Sequence, residues 1–135
     1  MAIKKSAKAL ISSVLDYECP WFSVYKERVR YPNGHEGEYY VLKRPLGFVT
    51  IIAIDANKDF LILRQWRPTI KRWIYEIPMG GVTKGETPLK AAKRELLEET
   101  GYKAKSWKKI GEFWLAPGHS TEKGFVFLAT DLVMI

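Results

Sequence analysis

Three glutamates, Glu95, Glu98 and Glu99, stand at i, i+3 and i+4 within a stretch whose apolar residues recur at helical spacing. At about 100° per residue they share one arc of a helix surface, and Leu89, Ala92 and Leu96 form the neighbouring apolar arc. Like charges at these spacings cost a few tenths of a kcal/mol per pair, so the cluster either faces water or meets a cation. A hard divalent ion such as magnesium suits it, because magnesium prefers oxygen ligands and is commonly held by one or two carboxylates together with substrate phosphates. Most Glu-rich helix faces are simply solvated, so the residues around this one decide its meaning.

Those residues form a loop, a helix and a second loop. Gly80 to Glu86 is a glycine-rich loop, Thr87 is placed to cap a helix, and Pro88 falls at the first helical position, where a missing N–H costs nothing. Gly101 follows Thr100 where a left-handed residue would close the helix. From Gly80 the chain reads GGVTKGETPLKAAKRELLEETGY. Gly80, Glu86, Arg94, Glu95, Leu96, Glu98, Glu99, Gly101 and Tyr102 fill the pattern G-x5-E-x7-R-E-U-x-E-E-x-G-U, where U is a bulky apolar residue and Tyr102 is the loosest match.

This segment, 80–102, resembles the Nudix box of the Nudix hydrolases. The resemblance implies an α/β fold, an α/β/α sandwich around a mixed sheet, with the loop-helix-loop as metal and diphosphate platform. It also implies Glu95 and Glu99 as principal metal ligands, Glu98 as an auxiliary ligand or orienting carboxylate, and Arg94 as the ion-pair partner that fixes their geometry. The cofactor would be Mg2+, with Mn2+ as a substitute. Bridging cations would neutralise the phosphates and activate a water whose proton a carboxylate, Glu98 or Glu99, accepts.

The flanking segments narrow the resemblance. RQWRPTIKRWIYEIPMGG is similar to the stretch before the box in ADP-ribose pyrophosphatase-type members; Arg64, Gln65, Arg67, Glu76, Pro78 and Gly80 match it. Met79 replaces the usual alanine, whose backbone carbonyl serves the family as a metal ligand. Pro117 lies 15 residues after Tyr102, in a segment resembling S-P-G-x-S-x-E, with Ala116 in place of the serine. Here the resemblance implies that Glu122 reaches the terminal ribose or its phosphate and that Arg64 or Arg67 contacts the diphosphate. An ordinary loop acid at Glu122 and a sheet-edge cation at Arg64 are the alternatives. WFSVYKERVRYPNGHEGEYYVL is also similar to this subgroup, whose N-terminal strands pack across a homodimer, and it offers Phe22, Tyr25 and Tyr39 to sandwich a base; core packing is the competing reading.

The elements that must hold these residues are short strands. Ala7, Leu10, Ile11, Val14 and Leu15 fit helical spacing, and an irregular start feeding a strand fits equally. Trp21–Arg30 and Glu38–Lys43 read as a hairpin about Pro32-Asn33-Gly34, and Phe48–Asp55 with Phe60–Gln65 reads as a second one. Trp73–Ile77, Lys109–Leu115 and Gly124–Asp131 are further strands.

A chain of 135 residues without repeats or linkers is expected to form one domain, with residues 1–45 as N-terminal strands that pack across a dimer. A basic start at Lys4, Lys5 and Lys8 leads into no signal-peptide core, no run approaches a membrane span, and Cys19 is the single cysteine. A cytoplasmic protein is expected. The net charge of +7 is scattered rather than striped, so it predicts attraction of phosphorylated small molecules and no nucleic-acid partner. The sequence ends at Ile135, whereas relatives of this subgroup continue into an acidic loop and a C-terminal helix. That helix is expected to be absent, which leaves three accounts: a truncated product, a short variant in which Glu98 or Glu99 is the base, or a weakly catalytic binding domain. The expected activity is hydrolysis of the diphosphate bond in ADP-ribose or another nucleotide sugar. The alternatives are a pyrophosphatase for damaged nucleoside triphosphates and a nucleotide- or RNA-binding domain.

Overall fold

The computed structural model describes residues 6–135; Lys4 and Lys5, read above as the basic start, lie outside the described residues. The chain clusters into two compact units, the described part of Met1–Pro45 with Trp114–Glu122, and Leu46–Phe113 with Lys123–Ile135.

The first unit is an antiparallel three-stranded sheet of β1 (Ala9–Glu18), β2 (Ser23–Arg30) and β3 (Glu36–Lys43), in that order. The expected β2–β3 hairpin is present and turns where Gly34 adopts a left-handed φ of 82°. The stretch that allowed a helix is β1. Its ladder with β2 slips between Leu10 and Ser12 and again between Leu15 and Tyr17, leaving one extra residue at each bulge. Each bulge resets the two-residue alternation of a strand, which is why the apolar residues fall at three- and four-residue intervals that mimic a helix. The loop after Trp114 joins the sheet at β3, through Leu42 N–H to the His119 carbonyl at 2.8 Å and Thr121 N–H to the Leu42 carbonyl at 3.0 Å.

The second unit is built on β4 (Phe48–Ala53), a β-branched run buried along almost its whole length. Strands covered on both faces read as continuous apolar runs. β5 (Leu63–Arg67) and β6 (Arg72–Glu76) form a two-stranded ladder, then β7 (Met79–Gly81), α1 (Pro88–Thr100), β8 (Tyr102–Trp114) and β9 (Lys123–Met134) follow. The four-stranded sheet runs β7-β4-β9-β8, with β4 antiparallel to β7 and parallel to β9. It is a mixed sheet, as expected. The expected hairpin of Phe48–Asp55 with Phe60–Gln65 is replaced by a single bridge between Ile54 and Phe60, and β5 pairs β6 instead. β7 takes that edge of β4 from Phe48 to Thr50, so only its end at Ala53 and Ile54 is left for Phe60 and Leu61.

α1 begins and ends as the sequence predicts: Thr87 Oγ1 accepts from Lys90 N–H, Pro88 occupies the first turn, and Gly101 closes the helix at φ 74°. α1 is the single α-helix among the described residues, and it packs on β4, β7 and β9. Ala91, Ala92 and Leu96 are buried against Val49, Ile51, Ala53, Val82, Phe127 and Ala129. Leu89, expected on this apolar arc, is exposed, and Ala91 takes its place. Full burial of Leu96 alone stabilises by roughly 1.5–3 kcal/mol. Among the described residues no helix is long and apolar enough to cross a membrane.

Candidate active site

Packing Leu96 inward turns the glutamate arc of α1 towards β7. Glu95 meets the strand at Gly80, where an added Cβ would lie 2.0–2.3 Å from the carboxylate atoms of Glu95. Glycine is therefore required at this point because any side chain would occupy the carboxylate's place. Glu99 meets the strand one residue earlier: its Oε2 accepts from the Met79 backbone N–H at 3.0 Å, and its Oε1 accepts from Gln65 Nε2 at 3.2 Å. Glu98 points more openly to solvent, with its side chain 57% exposed.

Arg94 ties the loop to the helix. Its Nε and Nη2 each donate to Glu86 at 3.1 Å, Nη2 also donates to the Gly81 carbonyl at 3.0 Å, and Nη1 donates to Glu95 at 2.6 Å and Glu98 at 3.1 Å. This is far more than the exposed i,i+4 pair with Glu98 that sequence spacing alone would give. Arg94, followed by the Thr83 backbone and hydroxyl, holds the Glu86 carboxyl down at about 2. In return Glu86 and Glu95 hold the Arg94 guanidinium above its ordinary value. Burial pushes Glu95 up, against the opposing pull of Arg94, and the charges of Glu99 and Glu98 push the same way as burial.

A folded-state pKa lowered in this manner stabilises the protein above the ordinary carboxyl value of 4.5 and loses that contribution as pH falls towards about 2. Replacing Arg94 with alanine should therefore cost roughly 2–3 kcal/mol near neutral pH, because two partly buried carboxylates lose a charged donor. The gap between the parent and Arg94→Ala, measured by urea denaturation, should narrow between pH 4.5 and 2. A pH-independent gap would show that Arg94 acts only through packing.

Glu95, Glu98, Glu99, Arg94 and the Met79 backbone N–H are thus brought together. Arg67 and Glu76 are brought to each other, Nε to Oε2 at 2.7 Å, on the β5–β6 face that also carries Gln65. Arg64 is not part of this group. Strand alternation puts it on the opposite face, exposed, with its guanidinium 5.1 Å from the Trp73 ring centroid. The remaining candidates belong to the first unit. Glu122 accepts from Arg44 Nη1 at 2.7 Å, the Phe22 ring lies tilted against Tyr17 with centroids 6.1 Å apart, the Lys43 ammonium sits 3.9 Å over the Tyr25 ring, and Tyr39 contacts Lys8 and Tyr31. Sequence reasoning missed the contact of Gln65 with Glu99. The signal was available, since residues 63, 65 and 67 of a strand share one face.

Among the described residues no three His, Cys, Asp or Glu side chains converge into a cage for a metal. A magnesium-type ion does not need one: one or two carboxylates on a face open to substrate suffice. The donor chemistry here fits that description, with hard oxygens, a desolvated Glu95 beside glycine, and excess negative charge along one helix face.

This loop-helix-strand arrangement lies within residues 43–133, over which the chain matches the NUDIX domain model. The chain belongs to the Nudix family. Upstream of the Nudix domain, residues 11–42 match the nucleoside diphosphate sugar hydrolase N-terminal domain, so β1–β3 carry their own family signature. The chain is similar to ADP-ribose pyrophosphatase of Bacillus subtilis (strain 168), 40% identical over 112 residues that cover 83% of this chain and 60% of the relative. It is 37% identical over 112 residues to ADP-ribose pyrophosphatase of Mycobacterium tuberculosis, covering 82% and 54% of the two chains. A crystal structure of an ADP compounds hydrolase shares the fold, with a TM-score of 0.77 at 21% identity, over 99% of this chain and 71% of that one. This Nudix chain spans between about half and three-fifths of the length of these curated relatives.

Proposed function

We propose that the chain hydrolyses the diphosphate bond of a nucleoside diphosphate derivative, ADP-ribose or another nucleotide sugar, to a nucleoside monophosphate and a sugar phosphate. The observation that carries this reading is the seating of Glu95 and Glu99 against the β7 backbone at Gly80 and Met79. Similarity to ADP-ribose pyrophosphatases and to the nucleoside diphosphate sugar hydrolase N-terminal domain supports the substrate class.

In this reading Glu95, Glu99 and the Met79 carbonyl would hold a divalent cation, Mg2+ with Mn2+ as substitute. Its contribution when bound is neutralisation of diphosphate charge and Lewis acidity. Arg94 keeps Glu95 in place and stabilises the loop from Gly81 to Glu86. Glu98, the most exposed of the three carboxylates, takes the proton of the attacking water as the bond from phosphorus to the bridging oxygen breaks. Arg67, held by Glu76, offers its remaining N–H groups to a phosphate.

The working form in this proposal is a cytoplasmic homodimer that binds no nucleic acid. A single cysteine suits a reducing compartment. Trp66, Trp73 and Tyr75 are exposed together on one face of the β5–β6 ladder, and Leu10, Val14 and Tyr17 are exposed on β1. Apolar area of this kind favours a protein partner. Light scattering should return twice the chain mass; a monomer at all concentrations would remove the dimer from the proposal.

The activity itself is tested by AMP release from ADP-ribose with Mg2+, using ATP, an oxidised dGTP and GDP-mannose as competitors. ADP-ribose should give the highest kcat/KM. Preference for a triphosphate would replace the substrate class, and no turnover of any diphosphate would overturn the enzymatic reading.

A further inference from the structure

We infer that Gln65 is a positioning residue for Glu99 and thereby sets the affinity of the carboxylate site for its divalent cation, an inference that rests on the metal-site reading above. Glu99 is treated differently from its neighbours. Glu86, Glu95 and Glu98 all share the guanidinium of Arg94, whereas Glu99 makes no ion pair among the described residues. Its two oxygens are met by two neutral donors instead, Met79 N–H on one and Gln65 Nε2 on the other.

The chemistry of that difference is direct. A cationic donor orients a carboxylate and also cancels its charge, so it competes with any metal for the same oxygens. An amide orients without neutralising. Each carboxylate oxygen carries two lone pairs, and one hydrogen bond to each leaves the others directed outwards for a cation. The Met79 bond alone fixes one oxygen and leaves the group able to swing about it; the second donor removes that freedom. Gln65 can supply it because β5 places residues 63, 65 and 67 on one face, while Arg64 and Trp66 point the other way. Gln65 also sits opposite Ile74, a half-buried neighbour across the ladder, which limits where its amide can turn. Donors that orient a ligand from behind commonly change metal affinity by about 10- to 100-fold when removed.

The test measures Mn2+ binding to the full chain without substrate, by the loss of the free-ion electron paramagnetic resonance signal. Gln65→Met keeps the length and unbranched shape of the side chain but removes the donor. It should raise the Mn2+ Kd by about tenfold with little change in melting temperature. In steady-state assays the Mn2+ concentration for half-maximal rate should move by a similar factor, while kcat at saturating Mn2+ stays near that of the parent. Gln65→His, whose ring retains an N–H donor, should keep most of the affinity. The inference is overturned if Gln65→Met binds Mn2+ within about twofold of the parent. It is also overturned if kcat falls equally at every Mn2+ concentration, or if the parent binds Mn2+ no better than Glu99→Gln does. A shifted Mn2+ affinity in a chain that does not cleave ADP-ribose would uphold the role of Gln65 and overturn only the substrate.

Discussion

Replacing Glu99 with glutamine is expected to lower ADP-ribose hydrolysis by about 10²- to 10³-fold at fixed Mg2+ while leaving the fold intact, since cation binding contributes several kcal/mol and each 1.36 kcal/mol is tenfold. The fold should survive because the substitution is nearly isosteric. The new amide oxygen can accept from Met79 N–H in place of the carboxylate, and the new amide N–H2 can face the Gln65 carbonyl once that side chain flips. What vanishes is charge. Glu99 is the carboxylate of this face that Arg94 does not neutralise, so its loss removes more of the cation's attraction than its count among four acids suggests. Initial rates of AMP release and a thermal melt of the same preparations check both halves of the statement. Retention of a tenth or more of the parent rate would move the essential ligand elsewhere.

The second large effect comes from a residue with no functional group. Gly80→Ala would place a methyl 2.0–2.3 Å from the Glu95 carboxylate, so the carboxylate must leave its seat. The atoms that clash are the end of a flexible side chain, and Gly80 is absent from the positive-φ glycines, so displacement is cheap for folding. It is expensive for the site. Glu95 would lose its approach to the β7 backbone and pull on the shared guanidinium of Arg94. We expect kcat/KM to fall by about 10- to 100-fold with less than about 1 kcal/mol of destabilisation. Parallel kinetic and denaturation measurements on Gly80→Ala would show it. A large stability loss with normal turnover per folded molecule would mean that Gly80 serves packing rather than the carboxylate.

Much of this geometry was legible beforehand because it is local. Thr87, Pro88 and Gly101 mark the helix ends through capping and left-handed closure, and these depend on a few neighbouring residues. The glutamate arc follows from the helix period alone, and the box pattern placed Glu86 and Arg94 in register with it. The misreadings share a different cause. The β1 bulges altered the apolar spacing, and the edge of β4 that the next strand would have taken is held from Phe48 to Thr50 by β7, a strand some 30 residues further along. Such long-range competition leaves no mark in a local window. Arg64 illustrates the same limit on a smaller scale: the motif named it, but only the register of β5 on β6 decides which face it takes, and that face is the one away from Gln65.

The strands that carry the site differ in how they are secured. Met79 and Gly80 lie on a three-residue strand bonded to β4, whose other edge is also paired and whose side chains are buried. Gln65, Arg67 and Glu76 lie on a ladder of two strands only. Opening free energy in proteins follows such differences, with doubly paired buried strands near the global limit and two-stranded ribbons well below it. On the proposed function, the seats of Glu95 and Glu99 rest against a strand anchored to the stiff β4, whereas Gln65 and Arg67, which would orient Glu99 and a phosphate, are mounted on a compliant ribbon. A change confined to the ribbon would then alter how Glu99 and a phosphate are held while leaving the Gly80 and Met79 seats as they are.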